Sequence, residues 1–154
     1  MSAPGWLHFL LALLAIALGI AVVIRRKGTR RHRLTGRIYL AAMVALNLAA
    51  FFIYNDRPGL GPFHYLAMVS LATLAAGFGV LRVVANTGRA RVMHGYFMSW
   101  SLAGLLAAGA GQGAAALDMP VGIVIVGLLL IAGGVIHTRD MVTIALGAPP
   151  SHDA

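Results

Sequence analysis

The chain has 154 residues, of which 60% are hydrophobic and 10% are charged, and its formal net charge is +8. A soluble domain usually carries about 25% charged residues, so this chain has too few polar side chains to cover a water-exposed surface, and the composition indicates an integral membrane protein. The absence of cysteine excludes disulfides, thiolate metal sites and cysteine nucleophiles. The basic residues lie in short connections between apolar blocks, which argues against a nucleic-acid-binding face.

Five apolar blocks follow one another, and each predicts a transmembrane helix because backbone groups in lipid must hydrogen-bond within their own segment. The first block starts close to Met1 and is too long for the core of a signal peptide, so it is interpreted as a retained span. The first four blocks are long enough to cross the hydrocarbon core, whereas the fifth is marginal. The predicted spans are about residues 6–24, 36–54, 62–82, 92–112 and 120–137.

The connections between these spans are short, which forces consecutive helices to lie side by side and antiparallel. The predicted fold class is therefore all-α integral membrane, an antiparallel up-down four-helix transmembrane bundle plus a fifth, shorter transmembrane helix. Residues 1–146 are expected to form a single transmembrane domain, and residues 147–154 a C-terminal tail.

Lysine and arginine are distributed unevenly between the two sides of this topology. Of the 12 in the chain, all but Arg57 lie in the first connection, the third connection or the tail. Because short loops rich in lysine and arginine stay in the cytoplasm, this asymmetry predicts the orientation of a multi-pass membrane protein. Its N-terminus is expected outside, and its C-terminus in the cytoplasm if the fifth block spans.

Four histidines fall at helix ends in this topology. His8 and His64 begin the first and third helices on the outside, and His32 and His94 begin the second and fourth helices on the inside. Each pair joins alternate helices, which lie diagonally across the core of a four-helix bundle. Two imidazoles facing each other across such a core are what a bis-histidine b-type haem requires, so the pattern predicts two haems with these histidines as iron ligands. His137 and His152 are interpreted as interfacial and inert.

Small residues and arginines accompany the histidines. Glycine and alanine are frequent in the half of each helix that lacks its histidine, where they would leave room for a cofactor, but close packing of transmembrane helices explains them equally well. Haem propionates need cations at the membrane surface. Arg33, Arg37 and Arg91 are the candidates inside, and Arg57 is the candidate outside.

Several stretches resemble a family of predicted bacterial membrane proteins, the domain-of-unknown-function 2306 family (DUF2306). They are HRLTGRIY at residues 32–39, FHYL at 63–66 and RVMHGY at 91–96, and the opening LHF at 7–9 fits as well. The spacing of histidines on alternate helices is in turn similar to cytochrome b561 and ferric-reductase-like bundles, which carry two haems and move electrons across a membrane. By position, the resemblance implies that His8 and His64 ligate an outer haem, and that His32 and His94 ligate an inner one.

The resemblance implies a multi-pass protein of the bacterial cytoplasmic (inner) membrane. The predicted function is that of a b-type di-haem transmembrane electron-transfer protein in the lipid bilayer, with a quinol or a redox protein as partner. Whether the chain is an enzyme stays open. As an enzyme it would be the membrane electron-transfer component of an oxidoreductase. Two alternatives also stay open. One is a non-catalytic membrane subunit with interfacial histidines, and the other is a small metal-handling or transport protein, for which two histidines per site are few ligands.

Overall fold

The computed structural model of the chain describes residues 3–53 and 61–146, and the side chains of residues 5–53, 61 and 64–138. The described part is all-helical and contains no strand, as the composition predicts, whereas the predicted tail at 147–154 lies outside it. The five helices are α1 (Ala3–Ile24), α2 (Arg30–Ala50), α3 (Pro62–Val83), α4 (Thr87–Ala116) and α5 (Val121–Leu146).

Polar caps start α2 and α4 several residues before their apolar blocks. Thr29 Oγ1 accepts the His32 N–H at 3.1 Å, and Asn86 Oδ1 accepts the Arg89 N–H at 2.9 Å. Each cap satisfies a backbone donor that a helix start leaves unpaired. The basic connections are consequently shorter than the hydropathy pattern indicates, and His32 lies within α2 rather than in a loop.

Lys27 caps the C-terminal end of α1, on the other side of the first connection. Its Nζ donates to the carbonyls of Val22 and Val23 at 3.0 and 2.9 Å, where α1 has no backbone donors left to satisfy them. A lysine here also complements the partial negative charge at the helix C-terminus.

Three helices contain a stretch that is long and apolar enough to cross a membrane: Gly5–Ile24, His64–Val83 and Val121–Thr138. The last of these has 18 residues, or about 27 Å of helix, which is close to the ~30 Å of a hydrocarbon core. The fifth helix, marginal when judged by its apolar block alone, therefore qualifies. Of the remaining two helices, α2 starts with several arginines and buries one face along its length against the protein, so it exposes less apolar surface.

Each described helix packs against its neighbours in a definite order. Contacts join α1 to α2, α2 to α3, α3 to α4 and α1 to α4, while α5 contacts α4. Within the described helices, the backbones of α1 and α3 do not approach each other, and neither do those of α2 and α4. Side-chain contacts join late residues of one helix to early residues of the next, as where Asn47 Nδ2 donates to Ser70 Oγ at 3.0 Å.

The core lies where α1, α2, α3 and α4 meet, and it contains one cross-core hydrogen bond. Tyr39 Oη on α2 lies 3.0 Å from Ser101 Oγ on α4, and both side chains are buried. A hydroxyl buried in an apolar interior is costly unless it has a hydrogen-bond partner, so each residue satisfies the other. The buried apolar residues around this pair are Ala15, Ala42, Met43, Leu46, Leu74 and Leu105.

Two of the glycines that the sequence associates with cofactor space allow close packing of helices instead. A Cβ at Gly19 would lie 2.6 Å from Leu102 Cδ1, and a Cβ at Gly77 would overlap Met98 Cε and lie 3.0 Å from Phe97 Cβ. At these positions the packing explanation is the one that the contacts favour. Other glycines have open space beside them: Gly36, Gly79, Gly104 and Gly109.

Gly77→Leu is expected to lower the stability of the folded protein by about 1–3 kcal/mol, because the new side chain must displace Phe97 and Met98 at the α3–α4 contact. Gly104→Leu is the matched control, since Gly104 is exposed and a Cβ there meets nothing within 4 Å. Thermal unfolding in detergent, followed by circular dichroism, measures both variants. Equal melting temperatures for the two would contradict the close approach at Gly77.

Tyr39→Phe is expected to lower stability by roughly 0.5–1.5 kcal/mol, because it removes the cross-core hydrogen bond and leaves the Ser101 hydroxyl buried. The double variant Tyr39→Phe/Ser101→Ala should lose less than the sum of the two single variants, since both remove the same bond. Unfolding of all four proteins in one detergent supplies the comparison. Strict additivity would show that the two hydroxyls do not interact.

Candidate functional site

His94, near the start of α4, is held by the backbone of α3. Its Nδ1 lies 2.6 Å from the Gly77 carbonyl oxygen. A carbonyl can only accept, so Nδ1 carries the proton and donates, and in the neutral ring Nε2 keeps its lone pair. The ring also contacts Phe78, with centroids 5.4 Å apart and the planes at 84°. Donation of one ring N–H to a backbone carbonyl is the usual support of a metal-ligating histidine.

His32, in the first turn of α2, lies within range of the charge of His94. Its Nδ1 is buried and has no hydrogen-bond partner, and its ring interacts with the Val22 backbone, Lys27 and His94. Burial is the main cause that lowers the pKa of His32 below its usual 6.5, and the charges of Lys27 and His94 lower it further. The imidazole is therefore neutral at physiological pH, as a metal ligand must be.

Helical spacing explains why these two rings share one region. His32 precedes Tyr39 by seven residues, and His94 precedes Ser101 by seven residues. Seven residues make about two turns, so each histidine lies on the same stripe of its helix as a partner in the cross-core hydrogen bond. The stripes that meet at Tyr39 and Ser101 thus bring His32 and His94 together about two turns away. This pair was predicted from the sequence.

His8 lies in α1, half-buried, against the backbone of Leu46 late in α2. Its Nδ1 is buried without a hydrogen-bond partner. Ala15, two turns further along the same stripe, is fully buried in the core, so His8 belongs to the face of α1 that contacts the protein.

His64 is buried, with 4% of its surface exposed, and it caps its own helix. The Gly61 N–H donates to its Nδ1 at 3.0 Å. A backbone amide can only donate, so Nδ1 is unprotonated and the neutral ring carries its proton on Nε2. The ring packs on Phe51, just after α2, at a centroid distance of 5.7 Å. These contacts lie at the same end of α2 as those of His8, but they do not join the two histidines.

The capping role of His64 was missed by the sequence analysis, although a signal for it exists. Gly61 and Pro62 mark the start of a helix, and a side chain that can accept a hydrogen bond stands three residues after the N-cap, the position from which Glu or Gln reaches back in a capping box.

The three described arginines predicted to pair with haem propionates are exposed. Arg37 follows His32 by five residues on α2, and Arg91 precedes His94 by three residues on α4. Arg33 also lies here, and its Nη1 donates to the Gly28 carbonyl at 3.1 Å. We call this end of the helices, formed by residues 25–37 and 82–91, the basic end. Arg57 lies outside the described residues.

In the part of the chain that the structure describes, no three His, Asp or Glu side chains lie close enough together to bind a metal ion. A structural or catalytic zinc site takes at least three protein ligands.

Comparison with known proteins identifies the family. A family model described as "Predicted membrane protein (DUF2306)" matches residues 5–138. The chain belongs to the DUF2306 family of predicted membrane proteins. The match extends beyond the four-helix portion that carries the sequence resemblance and includes the apolar part of α5. No curated protein and no solved structure matches the chain. The DUF2306 description places the chain in a membrane and names no ligand or reaction.

Lys27→Gln is expected to raise the pKa of His32 toward 6.5, because a positive charge that opposes protonation is removed. The His32 ring signal in ¹³C-histidine-labelled protein, titrated by NMR, reports this pKa, and Arg26→Gln is the charge-matched control. The pKa of His32 is lowered in the folded state, so the stability that depends on its neutral form is present above pH 6.5 and is lost as the pH falls through the folded-state pKa. An unchanged pKa in Lys27→Gln would contradict the contact.

Proposed function

We propose that this DUF2306 protein is a b-type haem protein that transfers electrons in the membrane, with His32 and His94 as the residues that would hold the iron of one haem. The observation that carries the proposal is the hydrogen bond from His94 Nδ1–H to the Gly77 carbonyl, together with the buried, unpartnered Nδ1 of His32. Haem iron supplies one-electron chemistry that no side chain of this cysteine-free protein provides.

The proposed architecture is an antiparallel up-down four-helix transmembrane bundle with α5 on its outside. The order of contacts supports it, because α1, α2, α3 and α4 each touch two neighbours in a closed ring and α5 touches α4. In such a ring α2 and α4 occupy opposite corners, and the bond between Tyr39 and Ser101 reaches across the centre. His32 and His94 then face each other along the same diagonal.

The residues at the basic end fit a haem in three respects. His94 is held in the tautomer that leaves Nε2 free to bind iron, and His32 is neutral and half-buried. Arg37 and Arg91 are exposed nearby and would bind the propionates by charge-assisted hydrogen bonds. The protein therefore orients the ligands through α3 and supplies the counter-charges through α2 and α4.

A second haem at His8 and His64 belongs to the same proposal and requires a local change. His8 has an unpartnered Nδ1 on the face of α1 that contacts the protein. Ligation through His64 Nε2 requires the ring proton to leave that nitrogen, and the Gly61 N–H then loses its acceptor on Nδ1. Losing such a cap costs about 1 kcal/mol, which an iron–imidazole bond would offset.

The proposed orientation places the basic end in the cytoplasm of a bacterial cell, with the N-terminus of α1 outside. The basic residues of the two connections at that end support it, since translocation of short arginine-rich loops is disfavoured. In this orientation His32 and His94 would lie on the side from which a quinol or a cytoplasmic redox protein could donate electrons.

The decisive experiment is a reduced-minus-oxidised absorbance spectrum of the full chain, purified after expression with added haem precursor. We expect b-type absorbance bands. His94→Ala and His32→Ala should each remove most of the absorbance that comes from the haem at the basic end. His137→Ala is the control, because His137 is exposed on α5. Absence of haem bands from the well-folded wild-type protein would end the proposal, as would retention of the full signal in His94→Ala.

A second candidate function, a non-catalytic membrane subunit, is favoured by one observation. His64 already has a structural role as the cap of α3, so a histidine in this protein does not need a cofactor to be useful. In that case His64→Asn, which keeps a capping side chain, should behave as the wild type in every assay, and His94→Ala should alter only stability. The absorbance experiment separates the two candidates.

A further inference from the structure

A cavity of about 410 Å³ opens sideways between α2 and α3. Its volume lies within the roughly 300–1,000 Å³ of ordinary ligand sites. All of its lining side chains but one are apolar or absent, and the exception is Arg82 at the end of α3. The lining residues are Leu40 and Val44 from α2, and Leu71, Leu74, Ala75, Phe78, Gly79 and Arg82 from α3.

The cavity exists because α2 and α3 pack less closely than α1 and α2 or α3 and α4. Gly79 contributes, since it lines the cavity and a Cβ there would meet nothing within 4 Å. A gap between helices that face lipid is not left empty, because voids lose the packing contacts that hold transmembrane helices together. A mobile apolar chain from the bilayer is the available filler.

Both walls of the cavity end in an arginine at the basic end. On α3, Leu71, Phe78 and Arg82 follow one another at helical spacing along the lining face. On α2, Arg37 precedes Leu40 by three residues and Val44 by seven, which places it on the lining stripe one turn nearer the basic end. The cavity is therefore an apolar groove with a cation at the same end of each wall.

These two cations lack counter-ions in the described structure. Arg37 and Arg82 are exposed, and neither has a hydrogen bond or ion pair to another described residue. Neither α2 nor α3 contains an acidic residue, and Asp140 belongs to α5, which packs on α4. Arg33, by contrast, is engaged with the Gly28 carbonyl. Two unpaired guanidinium groups at the mouth of an apolar groove favour an amphipathic anion.

We propose that the groove binds an anionic phospholipid, with an acyl chain between α2 and α3 and its phosphate between Arg37 and Arg82. Guanidinium groups match phosphate in geometry as well as in charge, and basic pockets between transmembrane helices are recognised sites for acidic headgroups. A neutral quinone headgroup fits less well, because the only polar side chain lining the groove is a cationic donor. The proposed lipid site shares Arg37 with the proposed haem site, so lipid binding and haem content are measured separately.

Native mass spectrometry of the full chain tests the proposal. Protein reconstituted with equal amounts of phosphatidylglycerol and phosphatidylcholine of identical acyl chains is released from the membrane mimic, and the bound lipid is counted. We expect phosphatidylglycerol to be retained about tenfold over phosphatidylcholine, since each basic side chain near the headgroup favours an anionic lipid. Arg37→Gln/Arg82→Gln should abolish this preference, and Gly79→Leu should displace the lipid while leaving both arginines in place.

Arg26→Gln/Arg31→Gln is the matched control, because it removes the same charge from exposed positions at the basic end outside the groove. Equal loss of lipid in this control would overturn the proposal in favour of diffuse electrostatic attraction. Retained preference in Arg37→Gln/Arg82→Gln, binding of glycerol phosphate as strongly as of the lipid, or a quinone as the bound species would also overturn it. Haem content is measured by absorbance on the same samples, and folding is measured by the melting temperature. These two measurements distinguish loss of lipid from loss of haem or of folding.

Discussion

The hydrogen bond between Tyr39 and Ser101 is the interaction on which the arrangement of the helices depends. In a membrane the hydrophobic effect does not hold helices together, so packing and buried polar pairs decide which faces meet. This bond joins α2 and α4, whose backbones do not touch, and it sets the rotation of both helices about their axes. Asn47, on the same buried face of α2, adds a second polar contact to α3 through Ser70.

Once α2 has this rotation, its remaining faces have determined neighbours. His32 lies two turns from Tyr39 on the same stripe, within range of the charge of His94, and the Leu40–Val44 side faces α3 across a gap. The proposed haem ligands and the proposed lipid groove are thus two consequences of one helix orientation. Phe78 links them, because it lines the groove and also contacts the ring of His94. A lipid in the groove would help to hold α3, which in turn holds His94 through Gly77.

For the four histidines, the sequence predicts which helices carry them but not the hydrogen bonds of their rings. The alternation of helices predicts that His32 and His94 belong together, and in the structure the charge of His94 reaches His32. The same reasoning treats His64 as equivalent to His94, yet the two rings have opposite tautomers, since one accepts from an amide and the other donates to a carbonyl. Hydropathy and spacing carry no information about a carbonyl 17 residues away in the chain. The glycines divide similarly, with Gly19 and Gly77 in tight contacts and Gly36 and Gly79 beside open space.

The sequence by itself determined that this is a membrane protein whose described part is all-helical, because hydropathy acts locally along the chain. It also predicts which histidines pair, because the order of short-looped helices leaves little freedom. Only the tertiary structure decided the tautomers, the tight and open glycines, and the groove closed by Arg37 and Arg82. Those features depend on how each helix is rotated against its neighbours, which side-chain contacts between distant residues such as Tyr39 and Ser101 decide.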